Sequence, residues 1–93
     1  MKIVKQWKGF MEYARKNHLS KSERTLYMEV LDKWDSLGHP DHVDMCDNDM
    51  RERSGMMEKT IRKARQALND MGVLKSTSGK TGRVTEYRLT MMF

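Results

Sequence analysis

The sequence has little cysteine and proline, and it has no long apolar run. Cys46 is the only cysteine among the 93 residues, so an intrachain disulfide is impossible and a reducing, cytoplasmic location is expected. The only proline, Pro40, lies in a turn predicted at residues 39–41. No apolar stretch approaches the length of a membrane span, and the N-terminus lacks a signal-peptide pattern. These absences exclude a disulfide scaffold and predict a protein without a membrane partner.

Acidic residues are scarce at both ends of the chain. Residues 1–20 carry five cations and one acid, residues 21–58 carry five and ten, and residues 59–93 carry eight and two. A cationic C-terminal third is the expected electrostatic footprint of a nucleic-acid surface. The acidic middle should face away from a phosphate backbone. The length predicts one domain, residues 1–93, with a modest core.

Apolar spacing and turn residues predict four helices, a short edge strand before the third helix and two strands after the fourth. Ser20 and Glu23 form a capping box for the second helix, and Asp47 or Asn48 is the expected cap of the third. Gly55 turns the chain into the fourth helix, and Gly72 ends it. The predicted helices cover about 3–17, 20–36, 49–54 and 57–71, and the predicted strands cover 42–45, 73–77 and 83–90.

The fourth helix has two different faces. One face carries four apolar residues at helical spacing, which predicts that this face is buried: Ile61, Ala64, Leu68 and Met71. The other face carries three cations, an amide and no acid: Lys59, Arg62, Lys63 and Gln66. A solvated basic surface helix is the plain alternative.

The neighbouring segments favour a winged helix-turn-helix. A short helix, a turn with Gly55 and a longer helix have helix-turn-helix spacing, and a two-stranded hairpin over about 73–90 would be the wing. The predicted class is therefore mainly α with a small β-wing, with residues 1–18 as an additional N-terminal helical extension. The wing tip carries Lys80 and Arg83, which are suited to a phosphate or the minor groove.

The predicted DNA-binding residues come from the recognition helix, about 57–71, and the wing tip. First-turn residues of such a helix reach base edges or phosphates, and exposed ones further along face the groove. Phosphate contact is expected more often than base reading. Arg65 lies on the side of the apolar face and is interpreted as structural. The set is Lys59, Thr60, Arg62, Lys63, Gln66, Lys80 and Arg83.

The first helix carries an apolar stripe with two large aromatic residues. The stripe packs on the core of the domain or forms part of a homodimeric or larger interface. Its candidate interface residues are Ile3, Trp7, Phe10 and Met11.

No catalytic or metal-binding pattern is present. His39, His42 and Cys46, with aspartates nearby, match no common zinc spacing. Residues 78–82 lack the upstream glycine and the following helix of a phosphate-binding P-loop. We therefore predict no enzyme activity, no metal and no cofactor.

Short motifs spread over residues 7 to 90 carry a family resemblance. They are Phe10 with Tyr13, Leu19-Ser20, Leu26-Tyr27 with Leu31, Met50 to Ser54-Gly55, Thr60-Ile61 with Ala64-Arg65 and Leu68, Gly72-Val73-Leu74, and Tyr87-Arg88-Leu89. On these residues the chain resembles the N-terminal winged-helix domain of phage and prophage DnaD-like replication initiators, the replisome organisers of Gram-positive hosts. Met56-Met57 stand where that family has small or polar residues.

The resemblance implies binding of double-stranded origin DNA, self-association and recruitment of helicase-loading proteins. Helicase loading belongs largely to a second domain of such initiators, so an excised domain or a reduced relative is expected here. The sequence leaves two alternative functions open. One is a protein-interaction or oligomerisation module of the replisome, and the other is a transcriptional regulator with the same fold.

Overall fold

The computed structural model describes residues 2–78 and 84–92. The described elements are, in chain order, α1 (Lys2–Lys16), α2 (Lys21–Ser36), β1 (Val43–Cys46), α3 (Asp47–Ser54), α4 (Glu58–Met71), β2 (Leu74–Ser78) and β3 (Val84–Leu89). The described chain is therefore mainly helical with a small antiparallel sheet, as predicted. This order of elements is compatible with a winged-helix layout. Within these residues, no helix is both long and apolar enough to cross a membrane.

Helix α2 begins with the predicted capping box. The Ser20 hydroxyl accepts a hydrogen bond from the backbone N–H of Glu23, and the Glu23 carboxylate accepts one from the backbone N–H of Ser20. The apolar residues that recur at helical spacing along α2 form its inward face and are all buried: Leu26, Tyr27, Val30, Leu31 and Trp34.

Helix α3 begins two residues earlier than predicted and has a different cap. It starts at Asp47, and the Cys46 sulfur accepts a hydrogen bond from the backbone N–H of Asp49 at 3.4 Å. Asp47 is the first residue inside the helix and so is not its N-cap, and its carboxylate is paired with Arg65 instead. Gly55 then ends α3 in the left-handed conformation at φ 73°, which is strained for residues with a Cβ.

The sheet has strand order β1-β3-β2, with both pairs antiparallel. Val43 lies opposite Tyr87, and Leu74 lies opposite Leu89. Side chains alternate along β3, since Thr85 and Tyr87 are buried beneath the helices while Glu86 points to the other face. The short strand predicted before α3 is present as the edge strand β1.

One hydrophobic core joins all four described helices to the sheet. On α1, the ring of Phe10 is fully buried and stacks on the ring of Tyr27, with 3.6 Å between centroids and 3° between planes. Ile61, Ala64 and Leu68 bring α4 into the same cluster. The first helix is therefore packed into the core along one side.

A buried glutamine ties α1 to the end of the chain. The Gln6 amide nitrogen donates to the Tyr27 hydroxyl at 2.5 Å and to the Thr90 carbonyl at 2.7 Å. Its amide oxygen accepts from the backbone N–H of Met92 at 2.9 Å. Burial raises the pKa of Tyr27 to about 12, partly offset by the hydrogen bond with Gln6. Because each buried polar atom is satisfied, Gln6 fixes the path of residues 90–92 across α1.

We predict that Gly9→Ala destabilises the protein, although alanine is the better helix former. A Cβ at Gly9 would clash with the backbone oxygen of Met92, so the C-terminal segment would have to move. We expect a loss of roughly 1–3 kcal/mol in the free energy of unfolding, as for overpacked sites. Urea unfolding followed by circular dichroism measures this loss.

The control for Gly9→Ala is the same substitution in a chain that ends at Thr90. Without Met92 the new methyl group meets no obstacle, and alanine should stabilise the helix by roughly 1 kcal/mol. A stabilising effect of Gly9→Ala in the full chain would contradict the close approach of Met92.

Candidate nucleic-acid interface

Helix α4 presents a polar face to solvent, as predicted. Lys59, Arg62, Lys63 and Gln66 are exposed, whereas Ile61, Ala64 and Leu68 are buried. Thr60 is half-buried in the first turn. The structure therefore brings together the five predicted site residues that belong to this helix.

Acidic side chains flank this polar face, contrary to the prediction. Arg62 donates a hydrogen bond to the Glu58 carboxylate, and Gln66 donates one to Asp70 at 2.9 Å. Both pairs have the i, i+4 spacing that places side chains side by side on a helix. In contrast, neither Lys59 nor Lys63 has a carboxylate within 4.0 Å among the described residues. These two lysines are the cations of α4 best placed to meet an external anion.

The N-terminus of α4 adds backbone donors beside the two lysines. Met57 is the N-cap residue, and its side chain makes no capping hydrogen bond. The first-turn N–H groups of a helix have no intrahelical partner and carry a partial positive charge. An uncapped helix start therefore offers donors to an anion such as a phosphate.

Hydroxyl and amide groups border the exposed face of α4 on both sides. Near Thr60 and Lys63, a cleft is bounded by Ser20 and Ser22 at the start of α2. Between α4 and the sheet lies a polar cleft of about 310 Å³, lined by Arg62, Arg65, Gln66, Asn69, Ser76 and Thr85. Such groups commonly donate hydrogen bonds to phosphate oxygens. The polar surface is therefore wider than one helix.

Arg65 is structural, as its position in the sequence predicts. Its Nη1 lies 2.8 Å from the Asp47 carboxylate, 3.2 Å from the Thr85 hydroxyl and 3.1 Å from the Tyr87 hydroxyl. Its side chain is only 16% exposed. Burial alone would lower the pKa of Arg65, but its hydrogen bonds with Asp47 and Tyr87 raise the pKa overall. The guanidinium therefore stays charged and holds α4 against α3 and β3.

Two predicted contacts, Lys80 and Arg83, lie outside the residues that the structure describes. Contact between the wing tip and DNA therefore stays a prediction.

The predicted interface on α1 needs a correction at Phe10. This side chain is fully buried against Tyr27, so it cannot contact another subunit in the folded protein. Ile3 and Met11 are half-buried against the core. Only Trp7 is well exposed, at 42%, and it is joined by Val4 at 41%, which was not predicted. Val4 precedes Trp7 by three residues, which is the spacing that could have identified it.

Val4 and Trp7 border an apolar groove between α1 and α2. Its remaining lining residues are Ile3, Met28, Leu31 and Asp32. The groove is a second candidate surface, distinct from the exposed face of α4.

A scan against protein-family models finds no match, and comparisons with curated proteins and with solved structures find no significant match. The resemblance to DnaD-like initiators therefore stays a prediction that depends on the quoted motifs alone.

We predict that Asp47→Ala destabilises the fold by about 1–3 kcal/mol, because it removes the charged partner of a largely buried guanidinium. Thermal and urea unfolding measure the change. The matched control is Asp41→Ala in the exposed loop before β1, which should stay within about 0.5 kcal/mol of the parent protein. Equal stabilities of the two variants would contradict the structural role of the Arg65–Asp47 pair.

Proposed function

We propose that this chain is a winged helix-turn-helix that binds double-stranded DNA through the exposed face of α4. Helices α3 and α4 would form the helix-turn-helix, and β2 and β3 would form the wing. The observation that carries the proposal is the position of Lys59 and Lys63 beside the uncapped N-terminus of α4. Among the described residues, neither lysine is paired with an acid, so both are available to phosphates.

In the proposed complex α4 lies in the major groove. Lys59 and Lys63 contact phosphates and fix the position of the helix, together with N–H groups of its first turn. Arg62 and Gln66 then reach base edges, where arginine suits guanine and glutamine suits adenine.

Arg62 and Gln66 must first leave their acidic neighbours. The pair between Arg62 and Glu58 is exposed, and exposed ion pairs contribute only about 0–1 kcal/mol. A phosphate or a guanine edge can therefore replace Glu58 at little cost. Glu58 also repels phosphate, so it should lower the affinity for every DNA sequence. Binding should then depend more strongly on whether the sequence presents a guanine to Arg62.

The biological role in the proposal is initiation of phage-type DNA replication. Its support is the motif resemblance to DnaD-like initiators, and helicase-loading proteins are the partners that this resemblance implies. A transcriptional regulator would use the same face of α4 in the same way. Sequencing the genomic fragments that the purified protein retains separates the two roles, since an initiator selects origin DNA and a regulator selects promoters.

The proposed DNA binding makes a quantitative salt prediction. With four to six phosphate contacts, affinity for a labelled duplex should fall by about 10²- to 10³-fold between 50 and 200 mM salt. Fluorescence anisotropy measures the affinity. Replacing Lys59 and Lys63 together by alanine should weaken binding to every sequence and reduce the salt slope by about two.

The control for this pair removes two exposed lysines from α1, Lys5 and Lys8, which leaves the net charge the same as in the Lys59/Lys63 variant. This variant should retain most of the affinity. In the same titration, Glu58→Ala should tighten DNA binding because it frees Arg62. Asp41→Ala, which removes the same charge away from α4, is its charge-matched control. Equal weakening by the two lysine pairs would contradict a specific role for α4, and salt-independent binding would contradict the proposal as a whole.

A second candidate function is self-association through the groove between α1 and α2. The observation that favours it is the pair of adjacent exposed apolar side chains, Val4 and Trp7, above an apolar groove. A symmetric dimer would place this groove against its own copy in a second chain. DNA binding through α4 does not compete with this contact, because the two surfaces involve different helices.

We predict that replacing Val4 and Trp7 together by alanine makes the protein monomeric while its circular dichroism spectrum is retained. Sedimentation velocity at increasing protein concentration measures the change. Leu37→Ala is the matched control, since Leu37 is an exposed apolar residue, at 56%, beyond the end of α2. A parent protein that stays monomeric at all concentrations would rule out this second function.

A further inference from the structure

A histidine and two carboxylates meet on the outer face of the sheet. His42 directly precedes β1, Asp44 lies on β1, and Glu86 lies on β3. One potential ligand atom from each side chain lies within 4.8 Å of those of the other two. The imidazole Nε2 of His42 is 3.8 Å from a carboxylate oxygen of Asp44.

The backbone register creates this cluster. Asp44 and Glu86 are directly opposite each other in the antiparallel pair of β1 and β3. His42 precedes Asp44 by two residues, and side chains two apart along a strand point to the same face. Like charges directly opposite each other weaken a strand pair. A cation held between Asp44 and Glu86 would remove that repulsion and join the edge strand to the central strand.

The surroundings of the cluster already hold one competing cation. Arg88 donates a hydrogen bond to the Glu86 carboxylate at 2.8 Å. On the far side of β3, Lys75 lies opposite Arg88 in the register of β2 and β3. A metal ion bound to Glu86 must therefore displace the Arg88 guanidinium, and this competition provides a directional test.

We propose that His42, Asp44 and Glu86 bind a divalent transition-metal ion of the Zn²⁺ type. One imidazole nitrogen and two carboxylate oxygens are a ligand set that zinc accepts, with water in the fourth position. Magnesium and calcium take oxygen ligands, so the imidazole favours a transition metal.

The distances require only a small closure of the three side chains. Zinc–ligand bonds of about 2.0–2.2 Å place neighbouring ligand atoms of a tetrahedron roughly 3.3–3.6 Å apart. The present separations of up to 4.8 Å exceed this spacing by an amount that rotation of one side chain can remove. All three side chains are at least one-third exposed, so the surrounding structure does not prevent such rotations.

The metal site is independent of the proposed DNA contact. Thr85 and Tyr87 point from β3 to the buried face of the sheet, toward Arg65 of α4. Glu86 points to the opposite face. Loss of DNA binding would therefore leave the metal proposal standing, and loss of metal binding would leave the DNA proposal standing.

Titration of the tag-free full chain with Zn²⁺, followed by calorimetry and by ¹H–¹⁵N NMR spectra, tests the site. We expect one ion per chain, with the largest shifts at residues 42–44 and 86. Both His42→Ala and Glu86→Gln should weaken binding by at least about tenfold, since even outer-shell partners of a metal contribute that much. Arg88→Gln should strengthen binding, because it removes the competing guanidinium from Glu86.

Two controls address the other candidate ligands. His18→Asn, on an exposed residue between α1 and α2, and Cys46→Ser, which can still cap α3, should both retain the affinity of the parent protein. Absence of saturable one-to-one binding would overturn the proposal. Binding that survives His42→Ala, or that is lost in Cys46→Ser, would also overturn it by assigning the ion to other ligands.

Discussion

The position of α4 depends on the ion pair between Arg65 and Asp47, which joins this helix to α3. The guanidinium is largely withdrawn from water, so its charge is tolerated only while Asp47 and the hydroxyls of Thr85 and Tyr87 surround it. These partners belong to the start of α3 and to β3. One side chain therefore fixes the angle between the proposed recognition helix, the helix before it and the sheet.

A second contact restrains the C-terminal end of α4. The Asn69 side chain donates to the Ser76 hydroxyl at 2.6 Å and accepts from the Ser76 backbone N–H at 2.7 Å. With the middle and the C-terminal end of α4 held by partly buried contacts, the orientation of its outward face does not depend on exposed charges. We therefore expect Lys59 and Lys63 to be replaceable without loss of the fold. The flanking acids Glu58 and Asp70 lower the attraction of this face for anions. The groove at Val4 and Trp7 remains available to a second chain.

Local patterns predicted much of the fold, because helix faces and caps depend on residues a few positions apart. The capping box at Ser20 and the buried face of α4 are of this kind. Contacts between distant segments were not predictable in the same way. Gln6 bonds to the chain 84 residues later, Asp47 pairs with Arg65 18 residues later, and Glu86 meets His42 only through the register of β1 and β3. For the candidate site, helical spacing identified the exposed residues of α4. The acids beside them, Glu58 and Asp70, lie one turn before Arg62 and one turn after Gln66, just outside the pattern of the cationic face.

The most direct test of the account is an NMR titration of the ¹⁵N-labelled chain with a short DNA duplex at low salt. We expect the largest shift changes along Lys59–Gln66 and in the first turn of α4, with the signals of Val4 and Trp7 nearly unchanged. These changes should disappear as salt is raised, since they depend on phosphate contacts. Changes confined to the groove between α1 and α2, or no changes at any duplex concentration, would contradict a DNA-binding role for α4.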